Sequence, residues 1–294
     1  MKYEKPKIVM HYLDRYQYSS EKGKDIDEFN AINKTIQSHG YEVLPIKTRW
    51  PRDAYVHDGT NLITQFEQGN LGVGGLIVES DDFVIFSSVV KDMFHCDPKK
   101  AIKRKNMFKD KKIYFVEPMV NKNGTYIDQN MHIDTTIGSI PSLNLLTVDE
   151  DHYKQRKTLF NKISRENYTE IIPIKINQEN KRSWHNNYLV IENGETLVIT
   201  DGYADNVNKV LQNLNINLSP IDIGMIANPK LGGSIRCLTN IVKNEETEIF
   251  INDLEKVEEK VIHVFIATGV KPNLEQVLNI VRNERLNNFN NSSN

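Results

Sequence analysis

The stretch NYLVIENGETLVITDG, residues 187–202, sets two apolar runs on either side of Asn193-Gly194. Asn-Gly between strand-forming runs is a strong hairpin signal, because both residues tolerate the positive φ that tight strand reversals need. The following ADNVNKVLQNL, from Ala204, places Val207, Val210, Leu211 and Leu214 on one helical face, and LSPIDI after it reads as a further strand. Strand, strand, helix and strand make one ββαβ unit.

The same plan recurs outward from this segment. HIDTTIGSIPSLNLLTVDE from His132 and GGLIVESDDFVIFSS from Gly74 each carry apolar runs about a polar turn. After Asp149, DHYKQRKTLFNKIS brings Tyr153, Leu159, Phe160 and Ile163 near helical spacing, and the β-rich TEIIPIKI follows. Ile26, Phe29, Ile32 and Ile36 predict a helix over Asp25–Ser38, with a strand over Val43–Ile46 behind it. Towards the other end, Leu274, Val277, Ile280 and Val281 predict a closing helix from Pro272, before an Asn/Ser-rich tail, 286–294, too polar to pack.

The hairpins share polar or glycine-rich lead-ins: Pro51-Arg52-Asp53, Val73-Gly74-Gly75, His132-Ile133-Asp134, His185-Asn186-Asn187 and Gly232-Gly233-Ser234. Repeats arranged about an axis gather equivalent segments at one end, as propeller blades do. The expected architecture is therefore an α/β-propeller of about five ββαβ-type units around a pseudo-fivefold axis. No linker-like stretch interrupts it, so residues 1–285 read as a single domain whose site lies where the lead-ins meet.

Composition narrows the function. With 39% hydrophobic and 26% charged residues and a formal net charge of −2, the 294-residue chain has the make-up of a globular enzyme. Lysines and arginines are scattered apart from a short run between Lys99 and Lys112, which argues against nucleic acid. Nothing approaches the run of about 18 apolar residues that spans a bilayer, and the start is too polar for a signal peptide, so a cytoplasmic protein without a membrane partner is expected. Gly72-Val73-Gly74 lacks the third glycine of a dinucleotide fingerprint.

Two cysteines are too few for a disulfide framework or a cysteine-built zinc site. Cys96 belongs to no lead-in and reads as structural. Cys237 follows Gly232-Gly233, which permit a tight backbone path, although a cysteine between apolar neighbours is by itself more often a small buried hydrophobe. His132 and Asp134 stand two apart at the start of a predicted strand and so would face the same way. Their equivalent places in the repeat, with Asp53, raise all four above chance.

Together these motifs resemble the guanidino-group-modifying enzymes of the pentein superfamily: arginine deiminases, agmatine deiminases, dimethylarginine hydrolases and amidinotransferases. The matching residues are Arg52-Asp53, Gly74-Gly75, Met131-His132-Ile133-Asp134-Thr135, and Gly232-Gly233 ahead of Cys237 and Thr239, within roughly residues 40–255. The resemblance implies that Asp53 and Asp134 hold a planar guanidinium through charge-assisted hydrogen bonds. It assigns nucleophilic attack to Cys237 as thiolate and proton transfer to His132. A covalent amidino-cysteine, a small guanidino substrate and no metal or organic cofactor follow from the same likeness.

Arg52, Asn187 and Gly233 are further candidates for substrate contact, and a homo-oligomer stays open. Hydrolysis of arginine, agmatine or a related molecule is the favoured outcome, with transfer of the amidino group to an amine as the alternative. The same fold also serves as a non-enzymatic ribosome-binding factor, a role against which His132, Asp134 and Cys237 argue. One departure stands out: the family usually has an acid directly before the glycine pair, and this chain has Val73, leaving Glu79, Asp81 or another acid to substitute. The short interval between Asp53 and Gly74 implies one trimmed unit, and the helical insertion typical of arginine deiminases is missing.

Overall fold

The computed structural model describes residues 6–11, 24–46, 52, 55–57, 62–64, 74–89, 108–120, 132–176, 185–223 and 234–242. Asp53, Val73, Cys96, Gly232, Gly233, the helix expected from Pro272 and the tail lie outside them.

Strand β1 (Lys7–His11) leads through helix α1 (Lys24–Ser38) to β2 (Val43–Ile46), which runs parallel to it. The helix ends at Gly40, whose φ of 78° suits glycine, and the Tyr41 N–H donates back to the Ile36 carbonyl. β3 (Tyr55–His57) and β4 (Leu62–Thr64) form an antiparallel ribbon. Next come β5 (Ile77–Glu79) and β6 (Phe83–Ser87), antiparallel, with β7 (Lys112–Val116) parallel to β6.

Two units realise the ββαβ plan in full. In the first, β8 (Ile137–Ile140) and β9 (Leu145–Asp149) form a hairpin, α2 (Glu150–Gln155) and α3 (Lys157–Asn167) cross over, and β10 (Glu170–Ile174) returns parallel to β9. The helix expected over this crossover divides at Arg156, and Asp149 caps its first half by accepting the Asp151 N–H at 2.8 Å. In the second, β11 (Leu189–Glu192), β12 (Thr196–Asp201), α4 (Asp205–Asn213) and β13 (Asn217–Ile221) repeat the arrangement. The turn between β11 and β12 carries Gly194 at φ 79°. Leu214, expected on the buried face of α4, is instead 38% exposed at its C-terminal cap. Finally the short helix α5 (Ile235–Leu238) leads into β14 (Thr239–Val242), antiparallel to β1. Among the described residues, no helix is long and apolar enough to cross a membrane.

Neighbouring units share cores. Ile32 and Ile36 of α1 pack with Ile8 of β1 and with Leu189, Ile191, Leu197 and Ile199 of the β11–β12 hairpin. Phe160 and Ile163 of α3 pack with Val78, Phe83 and Ile85 of the β5–β6 hairpin. Each such side chain contributes about 1.5–3 kcal/mol on full burial, so the seams between units carry much of the stability. One seam is polar: the fully buried Tyr188 hydroxyl lies 2.8 Å from Thr147 Oγ1, which also donates to Asn186 Oδ1 at 2.7 Å. Gly138, paired with Thr147 across the hairpin, makes room for this ring, because a Cβ there would overlap the Tyr188 hydroxyl.

Asp201 ends β12 and is 3% exposed. One carboxylate oxygen accepts the Tyr203 N–H at 2.9 Å, whereas Oδ2 has no partner among the described residues. Burial pushes its pKa up to about 6, with repulsion from Glu28 and Asp222 opposing hydrogen bonds from the backbone of Tyr203 and Ile223. The folded state thus keeps a proton that the unfolded chain has lost, and stability falls as pH rises from about 4 through about 6. Asp201→Asn should raise unfolding free energy at pH 7.5 by about 1–2 kcal/mol and flatten its dependence on pH, measured by urea denaturation at pH 5 and 7.5.

Candidate functional site

The lead-ins do not open as strands. His132 precedes a 3-10 turn, Ile133–Thr135, and β8 begins at Ile137. Thr135 Oγ1 donates to the His132 carbonyl at 2.8 Å and the Thr136 N–H donates to that of Ile133 at 3.1 Å, closing the turn. Strand alternation therefore does not place His132 and Asp134; the turn does. Gly74–Leu76 forms a similar turn before β5, and Cys237 lies within α5, one residue from its end, instead of at a strand start.

These turns pack against one another. A Cβ on Gly75 would fall 2.8 Å from Cε1 of His132 and closer still to its Cγ and Nδ1, so the backbone at 75 and the imidazole share one contact surface. A Cβ on Gly74 would overlap the backbone of Arg52 in the same way. The glycine pair is thus needed for close approach, since both positions are buried and any side chain would push His132 and Arg52 aside.

Asn187 joins three lead-ins. Its Oδ1 accepts the Cys237 N–H at 3.2 Å, and its Nδ2 donates to Asp134 Oδ2 at 3.0 Å. Its backbone carbonyl accepts the Arg236 N–H at 3.3 Å. All of this is dry: Asp134 is 0%, Asn187 1%, Cys237 2% and His132 8% exposed. The second Asp134 oxygen, Oδ1, is buried without a hydrogen-bond partner among the described residues.

Arg52 is also buried. Its Nη2 donates to Glu79 Oε1 at 3.1 Å and to the Ile77 carbonyl at 3.3 Å. Glu79 is thereby committed to Arg52 at the far end of β5 from Gly75, and Asp81 stands exposed in the turn beyond. Neither supplies the acid that Val73 lacks. Arg236, given no role by the sequence reading, lies beside Cys237; burial and Arg52 pull its pKa down, with Asp134 and Glu79 opposing. Asn186 was likewise unassigned and proves structural, donating to the Thr136 carbonyl at 3.1 Å. Among the described residues, no group of three or more His, Cys, Asp or Glu could hold a metal ion.

No protein-family model matches the chain, and no curated protein matches it. Solved structures do. The N-terminal domain of ArgZ, an arginine dihydrolase of the ornithine-ammonia cycle in Cyanobacteria, superposes with a TM-score of 0.57 at 12% identity, over 81% of this chain and 98% of that one. SxtG, an amidinotransferase from Microseira wollei, gives 0.58 at 11% over 82% and 95%. DDAH from Pseudomonas aeruginosa, complexed with citrulline, gives 0.54 at 14% over 81% and 99%. The chain has the pentein fold. Within this α/β pentein framework the described strands form small sheets of two or three strands, and the turns that meet carry His132, Asp134, Asn187 and Cys237.

Replacing Asn187 strands a buried N–H and a buried carboxylate together. Each loss costs about 1–3 kcal/mol. Asn187→Ala should lower unfolding free energy by about 2–4 kcal/mol in urea titrations. Asn187→Asp, which adds a charge against Asp134, should be more destabilising at pH 7.5 than at pH 4.5; equal effects at the two pH values would count against this contact.

Proposed function

We propose that the protein is an enzyme that attacks the carbon of a guanidino group with Cys237 and uses His132 for proton transfer. The observation that carries this reading is the Asn187 carboxamide, which couples the Cys237 backbone to the buried Asp134 carboxylate. A dry carboxylate with one unpaired oxygen suits a planar cation that donates hydrogen bonds. Asp53 supplies the second carboxylate, and Gly233 lets the substrate approach the backbone. Arg52 shapes the site through its ion pair with Glu79. The units stand around a pseudo-fivefold axis, as the sequence repeat suggests, with these lead-ins at one end.

The chemistry then follows from these groups. The Cys237 thiolate adds to the guanidinium carbon, giving a neutral tetrahedral adduct whose amino groups stay hydrogen-bonded to Asp134 and Asp53. His132 as imidazolium protonates the departing nitrogen, and the carbon–nitrogen bond breaks to leave an amidino-cysteine. Neutral His132 then takes a proton from water, the hydroxide adds to the same carbon, and the carbon–sulfur bond breaks to return the thiolate. The added hydroxyl gives up its proton, which ends on the ammonia, so ammonium and a ureido product result. Transfer to an amine differs in what leaves and what arrives: the substituted amine departs first, leaving the bare amidino group on Cys237, and a second amine then takes the place of water.

Cys237→Ala should reduce turnover of guanidino compounds by at least about 1000-fold while leaving the unfolding transition cooperative. The decisive assay takes arginine, agmatine, methylarginines and guanidinoacetate, with and without added amines, and measures ammonia and ureido products. Ammonia released without any amine is the expected result. Strict dependence on an amine, with no ammonia, would make the protein an amidinotransferase, and full activity in Cys237→Ala would end the cysteine mechanism.

A further inference from the structure

Strand directions give the molecule two unlike ends. β5, β8, β11 and β14 all run away from the lead-ins, so the turns after β5, β8 and β11 lie at the opposite end. Contacts agree: the Ser142 N–H donates to Glu192 Oε1 at 2.7 Å, and Ser142 Oγ lies 2.6 Å from Thr196 Oγ1, joining two of those turns. A cleft of about 450 Å³ runs from Pro141, Glu192 and Asn193 at this end back to Arg52, Tyr188 and Arg236 beside the lead-ins. Its volume falls in the range of small-molecule sites. His132, Asp134 and Cys237 do not line it.

Three polar groups in the cleft are unequal. Arg52 is paired with Glu79. The half-buried side chain of Arg236 has no hydrogen-bond or ion-pair partner among the described residues, although Asp134 and Glu79 act on it at longer range. Ser139, 3% exposed, has a buried hydroxyl oxygen with no hydrogen-bond partner among the described residues. A guanidinium and a hydroxyl lacking acceptors, in one cleft, are unfavourable until an acceptor arrives. Leu189, Val190 and Ile241 add apolar wall.

We propose that this cleft binds a small carboxylate, held by the Arg236 guanidinium and the Ser139 hydroxyl, next to Cys237 in the chain but outside the lining that His132, Asp134 and Cys237 form. The guanidinium fork matches a carboxylate's two oxygens. Glu79 and Glu192 in the cleft disfavour dianions, so a monoanion is selected over phosphate. Because Arg236 precedes Cys237 in α5, the carboxylate sits one residue from the proposed nucleophile without occupying its site. The inference concerns binding and stands apart from the reaction proposed above.

Isothermal titration of the full-length protein with acetate, and separately with phosphate, tests it. Saturable acetate binding is expected, weaker by about five- to tenfold in Ser139→Ala and at least about tenfold in Arg236→Lys, and not weakened in Asp134→Asn, which removes a negative charge that acts on Arg236. Ser139→Ala is a safe variant for folding, because it removes an unpaired hydroxyl; without acetate its melting temperature should equal or exceed that of wild type, and acetate should raise it less. No acetate binding, tighter binding of phosphate, or binding lost in Asp134→Asn but kept in Ser139→Ala would each overturn the assignment.

Discussion

The carboxamide of Asn187 has to satisfy a main-chain donor and a carboxylate at the same time, and the surrounding architecture is arranged so that it can. Its oxygen faces the Cys237 N–H of α5 and its nitrogen faces Asp134 in the turn before β8. These groups come from three distant parts of the chain, so the contact forms once the intervening sheets have packed. An amide is the side chain that offers donor and acceptor together at fixed separation. In a site this dry, losing either bond leaves a buried group unsatisfied, and the arrangement is correspondingly exact in its demands on the sheets around it.

Glycine and burial do complementary work at the same place. Gly74 and Gly75 let a turn approach Arg52 and His132 at a distance no other residue allows. The price is a dense set of polar groups away from water, including an oxygen of Asp134 with no hydrogen-bond partner among the described residues. Apolar seams such as Ile32 and Ile36 against the β11–β12 hairpin offset that burden. Apolar packing and the buried polar cluster are thus located in different parts of the same units.

Residues 187–202 and the crossover after them were legible because period-two and period-3.6 patterns survive in the sequence, and Asn193-Gly194 marks the reversal between strands. The helix over Asp25–Ser38 was legible for the same reason and is observed as α1. Three-residue turns have no period to detect, so Ile133–Thr135 was read as strand. The pairing of Arg52 with Glu79 joins residues on separate elements, and nothing local distinguishes Glu79 from an acid able to serve His132. Leu214 fits the helical spacing of α4, but the helix ends before its side chain reaches the core. Asn187 was legible as a polar lead-in residue, whereas its two partners required the tertiary structure.

The pairing of β14 with β1 joins the last described strand to the first. During synthesis β1 and β2 leave the ribosome early, yet the antiparallel neighbour of β1 emerges long after them. Such long-range pairing is slow to form and leaves an edge open until it does. Cys237 sits two residues ahead of β14, in the short helix that this pairing holds against Asn187. The thiol therefore reaches its final surroundings, against the Asn187 carboxamide, at the step that seals the sheet.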